Sequence, residues 1–111
     1  VAHSKTKNLA SLTKQAEIVV VAAGQPNMIG KEHLSKDSVV IDVGIHRIIK
    51  TSGKASLCGD VRFQEVEPLV QAITPVPGGV GPMTVAMLLV NTVNLWQDHC
   101  GLKMTLGDLL P

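Results

Sequence analysis

A chain of 111 residues with 10 basic and 9 acidic side chains has room for one domain with a true core and carries a net charge of only +1. Its 45% hydrophobic content excludes a disordered tail, and its Lys and Arg residues are too scattered to track a line of phosphates, so no nucleic-acid partner is expected. Its longest apolar run falls short of the roughly 18–20 residues that span a bilayer, so no membrane partner is expected, and the location expected is cytoplasmic.

The opening "VAHSKT" is strand-like in composition, and residues 8–16 follow as a short amphipathic segment. Residues 18–23, "IVVVAA", are a continuous β-branched run of the kind that suits a parallel sheet covered on both faces. Gly24-Gln25-Pro26-Asn27 has the turn chemistry to end it. A helical turn is expected over 30–34, a turn at "SKDS" 35–38, and a second buried strand at "VVIDVGI" 39–45. Residues 46–55 are polar and contain Gly53, which predicts a loop or a small hairpin, and 56–61 predicts a weaker strand. Residues 62–70 predict a short helix disturbed by Pro68, and 72–76 a short strand.

The last predicted element is a helix over 82–99, with Pro82 suited to its first turn and Gly101 to its stop. Its first half is apolar nearly all round, so the expectation is a helix buried early and amphipathic late. Strands alternating with helices predict an α/β fold with a parallel sheet. Cys58 and Cys100 lie far apart, without a Cys-x-x-Cys pair, and are expected as reduced thiols. His3, His33, His46 and His99 have no ligand spacing, so no metal site is expected. The chain opens on Val1 rather than Met and contains no Tyr, and we expect it to be a piece of a larger protein.

Open α/β sheets bind ligands outside the carboxyl ends of their strands. The unusual segments here all fall at such ends: His3 to Thr6, Ala23 to Pro26, Gly44 to Arg47, and "TPVPGGVGPMT" at 74–84. At the first, Ser4, Lys5 and Thr6 offer hydroxyls and a cation where an NAD-specific sheet carries a carboxylate, which points to NADP. The alternative is that Ser4 or Thr6 caps the following helix. No Gly-x-Gly-x-x-Gly fingerprint is present, and "GGVGP" satisfies neither that pattern nor a P-loop. In 74–84 the glycines Gly78, Gly79 and Gly81 let a flat ligand press on bare backbone, while Pro75, Pro77 and Pro82 stiffen the loop. Asp42 and Asp60 sit in apolar surroundings, and such carboxylates are expected to hold backbone N–H groups of neighbouring loops.

The segments "HSKT", "VVVAAGQPNMI", "VVIDVGIHR", "GDV" and "ITPVPGGVGPMT" together resemble the C-terminal half of methylenetetrahydrofolate dehydrogenase/cyclohydrolase, over about residues 1–95. The resemblance implies an α/β, partial Rossmann-type doubly wound parallel sheet lacking its first strand–helix unit and the N-terminal catalytic domain. It implies a cofactor-binding portion over 1–99, including the helix 82–99, and a tail over 100–111. It also implies an enzyme of one-carbon metabolism and purine biosynthesis, usually a homodimer. That enzyme oxidises 5,10-methylenetetrahydrofolate with NADP+ and hydrolyses the product to 10-formyltetrahydrofolate.

By position, the resemblance implies cofactor contacts at Ser4 and Ile45 and folate contacts at Pro77, Gly78, Gly79, Val80 and Gly81, and the strand-end reading adds Thr6, Ala23 and Gly24 as cofactor contacts. It places no catalytic residue in this chain, because the family's Tyr-x-x-x-Lys motif lies in the N-terminal domain. The family's Gly-Arg-Ser loop is also missing, and His46 stands where the family usually has Asn. We therefore expect the chain alone to be inactive and to need the missing N-terminal segment as partner. Two other readings stay open: a fragment of another NADP-dependent dehydrogenase, and a non-catalytic α/β binding module.

Overall fold

The computed structural model describes residues 1–49 and 53–102. The chain divides into two compact units, Val1–Gly81 and Pro82–Pro111.

In the first unit the two β-branched runs form β1 (Ile18–Val21) and β2 (Val39–Asp42), as side chains that suit a pleated surface should. They pair in parallel with Val21 opposite Asp42, and Val43 N–H donates to the Val21 carbonyl to carry the pairing one step further. On the other side of β2 lies a two-residue strand, Ala72–Ile73, also parallel. Between them in sequence, His46–Ile49 (β3) and Ala55–Cys58 (β4) form an antiparallel hairpin with His46 opposite Cys58, so that Ala72–Ile73 is β5. The sheet order is β1-β2-β5, the arrangement of an open parallel α/β sheet.

The core lies under one face of that sheet. Val19, Val21 and Val40 are buried there with Ile29, Leu34, Val61 and Val66, and Leu9, Ala16 and Ile73 pack against them. The short helix α1 (Leu9–Thr13) is held to the next segment by the Thr13 hydroxyl, which donates to the His33 carbonyl at 2.6 Å. A helical turn at Lys31–His33 and the helix α2 (Phe63–Val66) complete the layer. Buried Ser38 donates to the Ala16 carbonyl at 3.3 Å and so ties the start of β2 to the chain entering β1. Segment 27–29 runs parallel to 59–62 through the bridge Ile29 to Val61, bringing the end of β4 back beside the core.

The structure corrects several expectations. Val1–Thr6 is no strand: Thr6 N–H donates to the His3 carbonyl at 2.8 Å in a tight turn, and a strand there would have no ladder partner among the described residues. The sheet is not covered on both faces, since Ile18 and Val20 stand about 60% exposed (62% and 61%) opposite the buried Val19 and Val21. The strand expected over 56–61 ends at Cys58, and that expected over 72–76 ends at Ile73, where the proline-rich loop begins. The 46–55 segment forms a hairpin, and residues 50–52 within it lie outside the described part.

The last helix, α3 (Val80–Cys100), starts two residues before Pro82, which sits in its first turn. Gly101, at φ +67°, stops it, and Leu102 N–H returns to the Gln97 carbonyl at 2.9 Å in a Schellman arrangement. The expectation of early burial fails: Met83, Val85, Leu88 and Leu89 are exposed. An all-round apolar surface identifies a helix that needs cover but does not say which chain segment supplies it. Most of the expected tail, from 103 onward, lies outside the described residues.

Candidate functional site

The carboxyl ends of β1, β2 and β5 lie side by side, so the segments that leave them are neighbours at one edge of the sheet. Thr74 joins two of these ends. Its N–H donates to the Val40 carbonyl at 3.1 Å, and its hydroxyl accepts the Asp42 N–H at 2.9 Å. The edge gathers Ala23 and Gly24 after β1, Gly44 to His46 after β2, and the 74–79 loop after β5.

Two buried carboxylates organise the backbone at this edge. Asp42 Oδ1 accepts the N–H groups of Gly44 and Asp60, each at 3.0 Å, and its Oδ2 accepts that of Val61 at 3.0 Å. Asp60 in turn accepts the Ala23 N–H at 2.6 Å and the Gly24 N–H at 2.9 Å, both on Oδ2. Its Oδ1 meets His46 Nε2 at 2.6 Å. The expectation that both carboxylates hold neighbouring backbone is met, and for Asp60 the loop it holds is a candidate cofactor loop.

Burial works to raise the Asp60 carboxyl. The His46 hydrogen bond, the Gly24 and Ala23 N–H groups and the pull of the imidazole outweigh it, and hold the group below the usual aspartate value. Asp60 is therefore ionised at neutral pH and has only acceptors, so the proton of the shared hydrogen bond belongs to His46 Nε2.

Among the candidate cofactor residues, Ala23 and Gly24 are brought to Asp60, and Ile45 stands exposed one residue before His46. Ser4 and Thr6 belong to the separate N-terminal turn, where the Thr6 hydroxyl accepts the His3 N–H at 2.9 Å. Neither caps a helix, because Asn8 holds the cap position of α1. Pro77, Gly78 and Gly79 form the turn after β5, and Val80 and Gly81 are the first residues of α3.

The three glycines of that turn differ. Gly78 has φ +101° and needs glycine for its conformation. Gly79 needs it for space, since an added Cβ would lie 2.6 Å from the Pro75 carbonyl oxygen. Gly81 needs it for neither. At Gly24, Gly78 and Gly81 an added Cβ would meet nothing within 4 Å, so bare backbone faces open space at both loops. That is the surface a flat ligand requires.

Sequence reasoning missed the Thr74 hydroxyl and the ion pairs of Arg62 with Glu32 and Glu65, which pin α2 to the Lys31–His33 turn. The signal that could have found Thr74 is a hydroxyl residue directly before the proline-rich run, where β5 ends. A cavity of about 480 Å³ also opens beside Asp42, Leu57, Cys58 and Phe63, and none of the candidate residues lines it.

A parallel sheet with its loops and bare backbone collected at the carboxyl edge defines the class: an open α/β domain of Rossmann type, built to hold a ligand across that edge. The family model described as tetrahydrofolate dehydrogenase/cyclohydrolase, NAD(P)-binding domain, matches residues 1–100, and the chain belongs to that family. It is 64% identical to the bifunctional protein FolD of Prochlorococcus marinus (strain MIT 9211) over 98% of its length. It is 59% identical to that of Synechococcus sp. (strain WH7803) over all of it. It spans 38% and 36% of the lengths of those relatives.

Among solved structures, the FolD enzyme of Campylobacter jejuni superposes with a TM-score of 0.75 at 48% identity, over 87% of this chain and 33% of that one. The Trypanosoma brucei enzyme, solved with NADP cofactor and inhibitor, gives 0.72 at 41% identity over 84% of this chain and 32% of that one. These matches set aside the reading as a fragment of another dehydrogenase class.

Proposed function

We propose that this chain is the cofactor-binding portion of an enzyme that oxidises 5,10-methylenetetrahydrofolate to 5,10-methenyltetrahydrofolate and hydrolyses that to 10-formyltetrahydrofolate. NADP+, when bound, accepts the hydride released by the methylene carbon. In the second reaction water adds to the methenyl carbon, a ring carbon–nitrogen bond opens and a proton is released.

The chain's own residues bind and orient. Ala23, Gly24 and Ile45 lie along the dinucleotide, and Ser4 and Thr6 address its ribose phosphate. Pro77 to Gly81 form a wall poor in side chains for the pterin. The acid–base groups belong to a further segment, since this chain contains no Tyr. The working enzyme is a homodimer in the cytoplasm. The observation that carries this reading is the bare backbone at Gly24, Gly78 and Gly81 along one sheet edge.

The test replaces the matched segment of the Prochlorococcus marinus relative with this chain. The chimera is expected to reduce NADP+ with methylenetetrahydrofolate and to hydrolyse the methenyl product, whereas the 111 residues alone do neither. A folded chimera without NADP+-dependent turnover, or an active isolated chain, sinks the proposal.

A further inference from the structure

We propose that His46 is a positioning residue for the dinucleotide, acting through Asp60 on the backbone of Ala23 and Gly24. This rests on the reading that Ala23, Gly24 and Ile45 face the cofactor.

The Asp60 side chain is fully buried and its two oxygens are divided between two loops. Oδ2 takes both N–H groups of the loop after β1, at 2.6 and 2.9 Å. Oδ1 takes His46 Nε2, at the start of β3, at 2.6 Å. A carboxylate is planar, so fixing one oxygen fixes the direction of the other. His46 thereby sets the plane in which Ala23 and Gly24 are held, and it spaces that loop from Ile45, its own neighbour in the chain. Gly44 closes the same arrangement, because a Cβ there would collide with the Asp60 carboxyl.

Among the described residues, the hydrogen bonds given for Ala23 and Gly24 run to Asp60, while the far end of the turn is held separately by the Asn27 N–H on the Gly59 carbonyl at 3.1 Å. Gly24 sits at φ +69°, and an added Cβ would touch nothing within 4 Å, so packing does not hold the loop where the hydrogen bonds do. Without His46, Oδ1 loses the partner it has among the described residues, and the carboxylate keeps its orientation less strictly. The Ala23 and Gly24 N–H groups then follow it, and a ligand laid on that backbone meets a surface it must first order. The cost falls on cofactor binding rather than on the chemical step, which separates this role from an ordinary structural one.

The experiment uses the matched-segment chimera carrying His46→Ala or His46→Gln. Gln keeps a neutral N–H donor at similar reach. His46→Ala is expected to raise the KM for NADP+ about tenfold, with kcat and the folate KM within about twofold. The melting temperature is expected to fall by a few degrees in the Ala variant, since a buried carboxylate loses one partner, and to recover in the Gln variant. His46→Gln is expected to return the NADP+ KM to within about twofold of the parent. An unmoved NADP+ KM in the Ala variant overturns the inference. So does a rise accompanied by an equal loss in kcat, or a Gln variant no better than Ala. If the parent chimera itself does not use NADP+, the underlying reading falls and takes this one with it. If the parent is normal and the Ala variant unchanged, only the role of His46 falls.

Discussion

The Asp60 N–H donates to Asp42 Oδ1 at 3.0 Å, so the two carboxylates buried among the described residues stand in series, one fixing the backbone from which the other reaches out. Asp42 locks the segment 60–61 and the turn at Gly44, and Asp60 then reaches the loop after β1. The order of this series determines what each substitution does.

Removing the first member should be felt as stability. Asp42→Ala leaves the buried Asp60 and Val61 N–H groups without a partner, each costing about 1–3 kcal/mol, for a loss of roughly 3 kcal/mol. Asp42→Asn retains the volume but turns an amide donor toward one of those donors, so it should recover little. Urea unfolding of the chimera measures both. A loss below about 1 kcal/mol for Asp42→Ala contradicts the role assigned to it.

Asp60 should shape the acid limb of stability. Its carboxyl is held below the ordinary value of 3.8 in the folded state. A depressed folded value means a contribution present in full above the unfolded value and lost as pH falls through the folded one. Stability should therefore decline below about pH 4 more steeply in the parent than in Asp60→Asn, read from unfolding midpoints between about pH 4 and pH 2. Parallel acid limbs in the two proteins would count against it.

Glycine substitutions separate space from conformation. Gly59→Ala would drive a Cβ into the Asp42 carboxylate, whereas Gly24→Ala meets open space but sits at φ +69°. Gly24→Ala should cost about 1 kcal/mol, the strain of a left-handed residue. Gly59→Ala should cost clearly more, because the Asp42 network must move. Thermal unfolding ranks the two, and the reverse order is the result that does not fit.

Gly81 offers a cleaner probe of the substrate wall. It lies in the first turn of α3, has no positive φ, and has nothing within 4 Å of an added Cβ. Gly81→Ala should therefore leave stability unchanged or raise it by up to about 1 kcal/mol. If a pterin presses on this backbone, the folate KM should rise at least about fivefold in the same protein. Unchanged kinetics would move the substrate away from this wall.

Ser4 tests the choice of cofactor. A carboxylate in its place should repel a ribose 2′-phosphate, so Ser4→Asp should lower the preference for NADP+ over NAD+ roughly tenfold. The ratio of the two kcat/KM values reads this directly. The same preference in both proteins would remove Ser4 from the phosphate site.

Much of the fold was legible from local composition. The β-branched runs at Ile18–Val21 and Val39–Asp42, the turn after Gly24 and the helix stop at Gly101 each follow from preferences within a few residues. Val1–Thr6 was misread for the complementary reason: a strand exists only with a partner, and the same residues close into a turn when no ladder is available. The exposure of Ile18, Val20 and the apolar side of α3 was equally out of reach, since apolarity states a need for cover without naming what covers it.

The candidate site divides along the same line. Sequence by itself determined that Asp42 and Asp60 needed backbone donors, because a carboxylate in apolar surroundings has no other way to remain there. It also marked 74–84 as a stretch with little side chain, of which the part from Val80 onward belongs to α3. Tertiary structure alone decided that Asp60 meets Ala23, 37 positions away, with one oxygen and His46 with the other. A pairing at that separation is set by the parallel register of β1 on β2 and the return of segment 59–62 beside 27–29, and no local preference encodes it.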